Sequence, residues 1–235
     1  MKTAFITGAG RGLGKGFVEY FLDQGFIAFA GVRNPNTGPN GFKEHKNLKI
    51  LPLDVTNDDS ISKAVELISA ETDHLNYLIN NAGVNKDTAT NNHKELVSNL
   101  ADLNRKLLLE MFDINSVSLM IVLQQCQNLL TENPSFVVNI SSNRASFSDD
   151  TNTSGNYGYR ASKVALNMMT IASLLDLPSN VKTFAIHPGD VKTDMNPEGD
   201  QAAKKQAESI IAITLNWKDE YNGKFLKHNG ALYPL

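Results

Sequence analysis

The amino-acid sequence predicts an α/β fold, a doubly wound parallel sheet of about seven strands in a single domain. Short apolar runs alternate with amphipathic stretches of helical period, which is typical of a parallel sheet covered by helices on both faces. A glycine-rich turn follows the first apolar run, as in Rossmann-type sheets that bind ligands at their strand ends. No repeat, low-complexity tract or linker-like change of composition interrupts the chain, so we expect one domain over residues 1–235.

The first half of the chain contains four predicted strands, each a short apolar run that ends at a polar or glycine-containing turn. The first helix begins in the glycine-rich turn, and the helix after the third strand follows an acidic start at Asp58 with Ser60 close behind it. The predicted strands are Thr3–Thr7, Phe26–Val32, Leu48–Leu53 and Leu75–Asn80, and the predicted helices are about Gly12–Gln24 and Asp58–Glu71.

The second half continues the alternation with three more predicted strands. A long apolar stretch before the fifth strand predicts one long helix or two successive helices. A polar stretch, Thr193–Glu208, leads into the last helix, and Asn229-Gly230 predicts a turn near the C-terminus. The predicted strands are Phe136–Ser141, Val181–His187 and Lys224–Leu226, and the other predicted helices are Lys94–Leu130 and Tyr159–Leu177.

Charge and composition argue against several classes of protein. The chain has 22 basic and 25 acidic residues, a formal charge of −3, and no basic stripe, so neither nucleic acid nor an anionic membrane is expected as the main partner. The single cysteine, Cys126, cannot form an internal disulfide, and no Cys/His cluster has metal-site spacing, so we expect a buried thiol and no metal. The first strand starts close to Met1 and no stretch looks apolar enough to span a bilayer, so we expect a cytoplasmic protein.

The glycine-rich turn has the chemistry of a phosphate-binding loop. Gly8, Gly12 and Gly14 follow the first strand, whereas Leu13 occupies the position of the last glycine in the common G-x-G-x-x-G pattern. Glycines permit a tight turn and close approach of the backbone to a pyrophosphate, and the helix N-terminus offers N–H groups to an anion. The turn therefore predicts a dinucleotide site, with an empty βα turn as the alternative.

The end of the second strand favours NADP(H) over NAD(H). An NAD site usually has an acidic residue there to bind the ribose 2′-hydroxyl, but this strand ends in Gly31-Val32-Arg33-Asn34. Arg33, together with Arg11 in the glycine-rich turn, suits a 2′-phosphate because a planar guanidinium binds phosphate through paired hydrogen bonds. The alternative is that each arginine is a solvated surface charge.

Motifs in the rest of the chain resemble the short-chain dehydrogenase/reductase family. They are Asn80-Asn81-Ala82-Gly83 after the fourth strand, Ser141-Ser142 after the fifth, Tyr159-x-x-x-Lys163, and Pro188-Gly189 after the sixth. They occur in the order of the family and cover nearly the whole chain. Within the family, the chain is most similar to the carbonyl reductase branch that contains Sniffer-type and C-factor-type proteins.

The resemblance implies a catalytic set of Asn115, Ser142, Tyr159 and Lys163. It assigns Tyr159 as general acid/base, Lys163 to the nicotinamide ribose, Ser142 to the substrate oxygen, and Asn115 to a water-linked proton relay, although an asparagine there can also simply kink or cap a helix. The residues expected to contact the coenzyme are Gly8, Arg11, Gly12, Leu13, Gly14, Arg33, Asp54, Val55, Asn81, Ala82, Gly83, Tyr159, Lys163, Pro188, Gly189, Val191 and Thr193.

Some of these positions have a structural alternative. Asp54 could contact the adenine or cap a helix, and the Asn80–Gly83 run could serve chiefly as a strand-to-loop turn against the adenosine side. His187, directly before Pro188-Gly189, is expected to be a packed histidine that supports the turn.

Tyr159 and Lys163 are four residues apart, so a helix places them on one face. A free tyrosine has a pKa of about 10, and a neighbouring ammonium is expected to lower that pKa toward neutrality. Tyr157 also begins this helix, but Ala161 stands four residues after it, so it lacks the cation.

The choice of serine is less direct. Ser142 lies at the strand end but 17 residues before Tyr159, a longer separation than is common in the family. Ser146 has the more usual spacing but lies farther from the strand end. A polar insertion at Asp149–Asn156 would explain the longer separation, so we favour Ser142.

The predicted function is NADPH-dependent reduction of a small aldehyde or ketone to an alcohol. The alternatives are an alcohol dehydrogenase that uses the same residues in the oxidative direction, and a coenzyme-binding regulatory protein of C-factor type. The family also implies a homo-oligomer, a dimer or tetramer, and the apolar stretch Met168–Leu177 could serve either the core or such an interface.

Overall fold

The computed structural model describes residues 1–35, 41–85, 100–148 and 155–235. Seven strands form one sheet that is parallel throughout, in the order β3-β2-β1-β4-β5-β6-β7. The strands are β1 Thr3–Ile6, β2 Ile27–Val32, β3 Leu48–Pro52, β4 Tyr77–Asn80, β5 Ser135–Ile140, β6 Val181–His187 and β7 Phe225–Lys227. The order reverses beside β1, which is where a doubly wound sheet opens its ligand crevice.

Six α-helices in the described residues cover the two faces of the sheet. They are α1 Gly12–Asp23, α2 Asp58–Ser69, α3 Arg105–Phe112, α4 Ser118–Cys126, α5 Tyr157–Ser173 and α6 Ala203–Leu215. A π-helical turn, Asp113–Val117, joins α3 to α4 and makes one bent helical run of the two. The predicted Rossmann-type fold with one seven-stranded parallel sheet is confirmed.

The sheet separates two apolar cores, as the continuous apolar runs of its strands require. One core packs α1 and α6 against one face, with Phe17, Phe21 and Phe184 among its fully buried side chains. The other packs α2 and α4 against the opposite face and includes Phe5 and Phe29. Both cores end at the carboxyl edge of the strands, so the loops at that edge rest on a rigid base.

Several predicted bounds differ from the structure by a few residues. Helix α5 begins at Tyr157 rather than Tyr159 and ends at Ser173. Helix α6 begins at Ala203, inside the polar stretch Thr193–Glu208, because its inward face needs apolar side chains only every third or fourth residue. Residues 94–99 of the predicted long helix and residues 149–154 of the predicted insertion lie outside the described residues.

The expectation that no stretch is apolar enough to span a bilayer was wrong. Within the described residues, one helical run, Arg105–Leu129, has the necessary length and composition. Its buried side chains, among them Ile114, Val122 and Leu123, pack in the core under the sheet. Burial against the sheet accounts for part of the apolar character of this run, of which 44% is buried.

A buried polar network crosses the middle of the sheet from β4 to β6. The Asn80 amide donates to Asn139 Oδ1 at 2.8 Å, and the Asn139 amide donates to Thr170 Oγ1 at 3.0 Å and Thr183 Oγ1 at 3.3 Å. These side chains come from three adjacent strands and from α5, and all four are buried. The network holds α5 at a fixed depth on the sheet because the Asn139–Thr170 hydrogen bond joins the helix to β5.

Candidate active site

The phosphate-binding loop is shaped by glycines that no other residue could replace without strain. Gly8 and Gly12 have φ values of +63° and +54°, in the left-handed region. At Gly14, a Cβ atom would lie 2.3 Å from the carbonyl oxygen of Gly8, so the loop folds back on the first turn of α1. Leu13 points into the core instead of toward the loop, which explains why an apolar residue is tolerated there.

A pair of side chains ties the phosphate loop to the turn after β4. Thr7 Oγ1 accepts hydrogen bonds from the backbone N–H groups of Asn81 and Ala82, each at 3.0 Å. In return, Asn81 Nδ2 donates to the carbonyls of Thr7 at 2.9 Å and Gly8 at 3.1 Å. The Asn80–Gly83 motif thus serves as the turn that was predicted, and its asparagine fixes the position of the loop.

The predicted adenosine side lies at the ends of β2 and β3. Asp54 Oδ1 accepts two hydrogen bonds from Thr56, at 3.0 Å from the backbone N–H and 2.8 Å from the hydroxyl. Partial burial opposes ionisation of Asp54, but these bonds and the nearby charge of Arg33 hold its pKa below the usual value. Arg33 itself is exposed, and Val55 is buried beside Asp54.

Arg11 projects from the phosphate loop toward the segment after β6. Its guanidinium forms an ion pair with Asp194 at 3.0 Å, and both side chains are about 70% exposed, at 74% and 69%. Gly12 lies against the same segment, since a Cβ atom there would be 3.1 Å from Thr193 Cγ2. The loop after β6 therefore borders the phosphate loop from the opposite side of the crevice.

The turn after β6 is held from two directions. Gly189 has a φ of +79°, and a Cβ atom at this position would lie 2.8 Å from the ring of His228. Gln206, buried on α6, donates its amide to the Pro188 carbonyl. The His187 ring packs edge-on against Tyr233 at 5.6 Å between centroids, as expected for a packed histidine. Val191 is buried just beyond this turn.

Lys163 is the most buried cation of the site, with 3% of its surface exposed. Its Nζ donates to the Ile140 carbonyl at 2.8 Å, at the end of β5. It also lies 5.9 Å from the centroid of the Tyr159 ring. Burial lowers the pKa of the Lys163 ammonium to about 7, because the apolar surroundings disfavour its charged form.

The Tyr159 hydroxyl is not tuned as the sequence suggested. Burial raises the pKa of Tyr159, and this effect outweighs the lowering by a hydrogen bond shared with Ser142 and by the charge of Arg144. The expected fall toward neutrality was therefore wrong for this structure. The reason is desolvation. It also lowers the pKa of Lys163, so this lysine carries less of the positive charge that was expected to lower the pKa of Tyr159.

The structure places Ser142 in hydrogen-bond contact with Tyr159. Ser142 caps the one-turn helix Asn143–Ala145, where its Oγ accepts a hydrogen bond from the Arg144 backbone at 3.2 Å. Ser146 follows that helix and accepts from the Ser148 backbone at 3.2 Å.

Tyr157 is also placed away from the predicted set. It is 43% exposed at the first position of α5, two residues before Tyr159.

Asn115 is placed by the π-helical turn that joins α3 to α4. Its Oδ1 accepts from the Val84 N–H at 2.8 Å, and its Nδ2 donates to the Val84 carbonyl at 2.9 Å and to Ser162 Oγ at 3.0 Å. A π-turn widens the helix by one residue and is frequent at functional sites. Here the turn directs the fully buried Asn115 toward α5, where its partner Ser162 directly precedes Lys163.

Gly83 explains how these groups fit together. A Cβ atom at Gly83 would lie 3.3 Å from Asn115 Oδ1 and 3.5 Å from Lys163 Nζ. The turn after β4 therefore lies close to both the asparagine and the lysine, and a side chain there would need the Asn115 amide to shift by a few tenths of an ångström.

Two participants were not predicted from the sequence. Arg144 contributes charge to Tyr159, and its position two residues after Ser142 on the same loop was the available signal. Ser162 connects Asn115 to α5. The sequence signal for this role was its hydroxyl group, one residue before the predicted Lys163.

The site fits a dinucleotide in shape and chemistry. The glycine turn opens at the N-terminus of α1 and forms a cradle that added Cβ atoms would fill. Deeper in the crevice, the hydroxyl of Ser141 is buried without a hydrogen-bond partner among the described residues, so a polar acceptor or donor is expected there. Among the described residues, no group of three potential metal ligands occurs.

Comparison with known proteins agrees with this geometry. The family model described as short chain dehydrogenase matches residues 2–204. An uncharacterised oxidoreductase of Schizosaccharomyces pombe is 27% identical over 259 residues, which cover 99% of this chain and 98% of the relative. The structure of the carbonyl reductase Sniffer of D. melanogaster matches with a TM-score of 0.88 and 28% identity over 100% of both chains.

A further similar structure is the NADPH-bound carbonyl reductase from chicken fatty liver, with a TM-score of 0.87 and 26% identity over 100% of this chain and 99% of that one. The glycine turn, the tyrosine–lysine pair on α5 and the sheet order are thus accompanied by a family match over most of the sequence. The chain belongs to the short-chain dehydrogenase family and is an oxidoreductase of that type.

Proposed function

We propose that this enzyme reduces a small aldehyde or ketone to an alcohol with NADPH. The observation that supports this most directly is the hydrogen bond between Tyr159 and Ser142 beside the buried Lys163. These groups lie at the carboxyl edge of the sheet, next to the glycine loop that fits a dinucleotide. The chicken and fly relatives are both carbonyl reductases by name.

The protonation state of Tyr159 suits reduction. When bound, the nicotinamide coenzyme would supply the hydride. Because burial raises the pKa of Tyr159, its hydroxyl stays protonated at neutral pH and can donate to the substrate oxygen as negative charge develops there. The Ser142 hydroxyl, hydrogen-bonded to Tyr159, would hold that oxygen in place. The charge of Arg144 favours the phenolate that remains after proton transfer.

Lys163 is suited to return the proton. With a pKa of about 7, its ammonium can lose and regain a proton near neutral pH, which an ordinary lysine cannot. The Ile140 carbonyl holds the Nζ atom in place. Asn115, which also lies against Gly83, would continue the path along which the proton moves. We therefore assign Tyr159 as the acid, Ser142 as the orienting group, and Lys163 with Asn115 as the proton path.

Arg33 and Arg11 support the choice of NADPH. Arg33 stands at the end of β2, where a carboxylate would select NAD(H), and its charge reaches Asp54. Arg11 lies across the crevice on the phosphate loop, and its exposed pair with Asp194 contributes at most about 1 kcal/mol, so a phosphate can displace Asp194. We expect Arg33, and Arg11 once it leaves Asp194, to bind the 2′-phosphate.

A homo-oligomer is part of the proposal. Met168 and Ile171 lie three residues apart on α5, Leu175 follows in the turn after it, and the three are 62%, 39% and 89% exposed. The stretch Met168–Leu177, which could serve either the core or an interface, thus lies largely outside the core. An apolar face of this kind on a helix is typical of a subunit contact.

Replacing Tyr159 with phenylalanine should abolish most of the activity. Loss of the general acid is expected to lower kcat by about 10²- to 10⁴-fold, measured by NADPH consumption with a panel of aldehydes, ketones and diketones. The matched control is Tyr157→Phe, on the same helix without a lysine four residues later, which should keep wild-type kcat. Full activity in Tyr159→Phe would refute the mechanism.

Replacing Arg33 with alanine should weaken NADPH binding selectively. Charge-assisted hydrogen bonds contribute about 1.5–3 kcal/mol, so the Kd for NADPH should rise roughly 10- to 100-fold while the Kd for NADH stays the same. Fluorescence titration with both coenzymes measures this, with Lys49→Ala on the far half of β3 as the control. Equal weakening of both coenzymes would contradict a 2′-phosphate contact.

Lys163 should make the stability of the coenzyme-free protein depend on pH. Between pH 7 and 9 the unfolded chain keeps this lysine protonated, because its ordinary pKa is 10.5, whereas the folded state releases the proton above about 7. The free energy of unfolding should therefore rise with pH by up to about 1.4 kcal/mol per unit. Lys163→Met should flatten that rise in urea titrations. Identical slopes in Lys163→Met and wild type would show that the ammonium is not desolvated.

The exposed face of α5 predicts a mass of at least two chains in solution. Multi-angle light scattering should give a multiple of 25.8 kDa. Met168→Glu combined with Leu175→Glu should reduce it to one chain, because charges on an apolar contact are not solvated. A monomeric mass for the wild type would refute the oligomer.

A further inference from the structure

Arg144 is a cation that lies beside the reacting groups on the same loop as Ser142. Its backbone N–H donates to Ser142 Oγ at 3.2 Å, inside the one-turn helix that Ser142 caps. The next residue, Ala145, is 1% exposed and belongs to a small apolar cluster with Ala185 of β6 and Phe225 of β7. The backbone of Arg144 is therefore held next to Ser142 by packing on the sheet.

A ligand in the crevice can reach both Arg144 and Tyr159. The side chains of these two residues are each partly exposed. The charge of Arg144 acts on the Tyr159 hydroxyl, which shares a hydrogen bond with Ser142. The position expected for the substrate oxygen, at Ser142 and Tyr159, therefore lies within the electric field of a guanidinium.

Arg144 is better suited than Lys163 to bind a negative charge on the substrate. Lys163 is 3% exposed, and its Nζ atom already donates to the Ile140 carbonyl. Its pKa of about 7 also removes part of its charge at neutral pH. A guanidinium stays charged and binds a carboxylate through two parallel hydrogen bonds.

A carboxylate next to the reacting carbonyl matches the position of Arg144. Hydride addition to C2 of a 2-oxo acid opens the C=O π bond and develops an alkoxide on the carbon beside the carboxylate. Two negative charges then lie close together, and Tyr159 neutralises one of them by transferring its proton to the alkoxide oxygen. A guanidinium bound to the carboxylate offsets the other. The product is a 2-hydroxy acid, formed with oxidation of NADPH to NADP⁺.

We propose that the substrate is a small 2-oxo acid, whose carboxylate binds Arg144 while its keto oxygen contacts Ser142 and Tyr159. The proposal rests on the reductase function proposed above and names the substrate class of that same site. Arg144 is then the residue that determines specificity.

A matched pair of substrates separates recognition of the carboxylate from the reaction itself. Phenylglyoxylate carries the charge, and phenylglyoxamide has nearly the same shape without it. The readout is the ratio of the two kcat/KM values with NADPH, at constant ionic strength. The intrinsic reactivities of the two carbonyls are the same for every variant, so a change in this ratio reports the contact with the carboxylate.

Arg144→Met should lower this ratio by about 10- to 100-fold, as expected for the loss of a charge-assisted hydrogen bond. A weaker proton transfer from Tyr159 in this variant affects both substrates and cancels in the ratio. Arg144→Lys keeps the charge without the planar fork and should restore part of the ratio. Arg105→Met, exposed at the first position of α3, is the matched control and should leave the ratio unchanged.

Binding to the NADP⁺-saturated protein tests the same contact without turnover. In calorimetric titration, the Kd for phenylglyoxylate should rise about 10- to 100-fold in Arg144→Met and stay the same in Arg105→Met. Circular dichroism checks that the variants are folded, and Arg144→Gln provides the same test with a polar side chain in place of methionine.

Two results would overturn the proposal, and they differ in what they leave standing. Reduction of neutral ketones together with an equal ratio in the wild type and in Arg144→Met would exclude a 2-oxo acid and retain the reductase. Absence of NADPH consumption with every carbonyl compound tested would exclude the reductase and, with it, this substrate class.

Discussion

The buried ammonium of Lys163 is the constraint on which the arrangement of this site depends. Its hydrogen bond to the Ile140 carbonyl fixes α5 against the end of β5, two residues before the serine that reaches Tyr159. The turn after β4 lies against the same nitrogen, since a Cβ atom at Gly83 would be 3.5 Å from it. One cation thus sets the spacing of two strand ends and one helix, and the apolar surroundings lower its pKa to about 7.

Desolvation decides the direction of both pKa shifts in this group. The apolar surroundings that make Lys163 easy to deprotonate also raise the pKa of Tyr159, so the two effects favour a neutral pair over an ammonium–phenolate pair. The hydrogen bond with Ser142 and the charge of Arg144 both act to lower the pKa of Tyr159, but burial outweighs them. A neutral pair is the form that can donate a proton to a developing alkoxide, and this links the burial of the site to the direction of the proposed reaction.

The sequence was sufficient for the fold, because periodicity and glycine positions are local signals. The apolar runs of β1, β4 and β6 and the glycines of the phosphate loop are examples. It was not sufficient for quantities that depend on the surroundings of a side chain. The direction of the Tyr159 shift depends on burial, and the π-turn under Asn115 depends on how α3 and α4 meet the sheet. Neither has a signature within a few residues of the sequence.

Helix α5 shows why such distant contacts matter to the chemistry. Its inward face carries Lys163, Asn167 and Thr170 in successive turns, so an apolar sheet alone could not accept it. Asn139 on β5 supplies the donor for Thr170, and the end of the same strand supplies the acceptor for Lys163. Since both partners belong to one rigid strand, the helix cannot slide without breaking both bonds. The distance between Tyr159 and Ser142 is therefore set by the polar contacts inside the core as much as by the loops that carry the reacting groups.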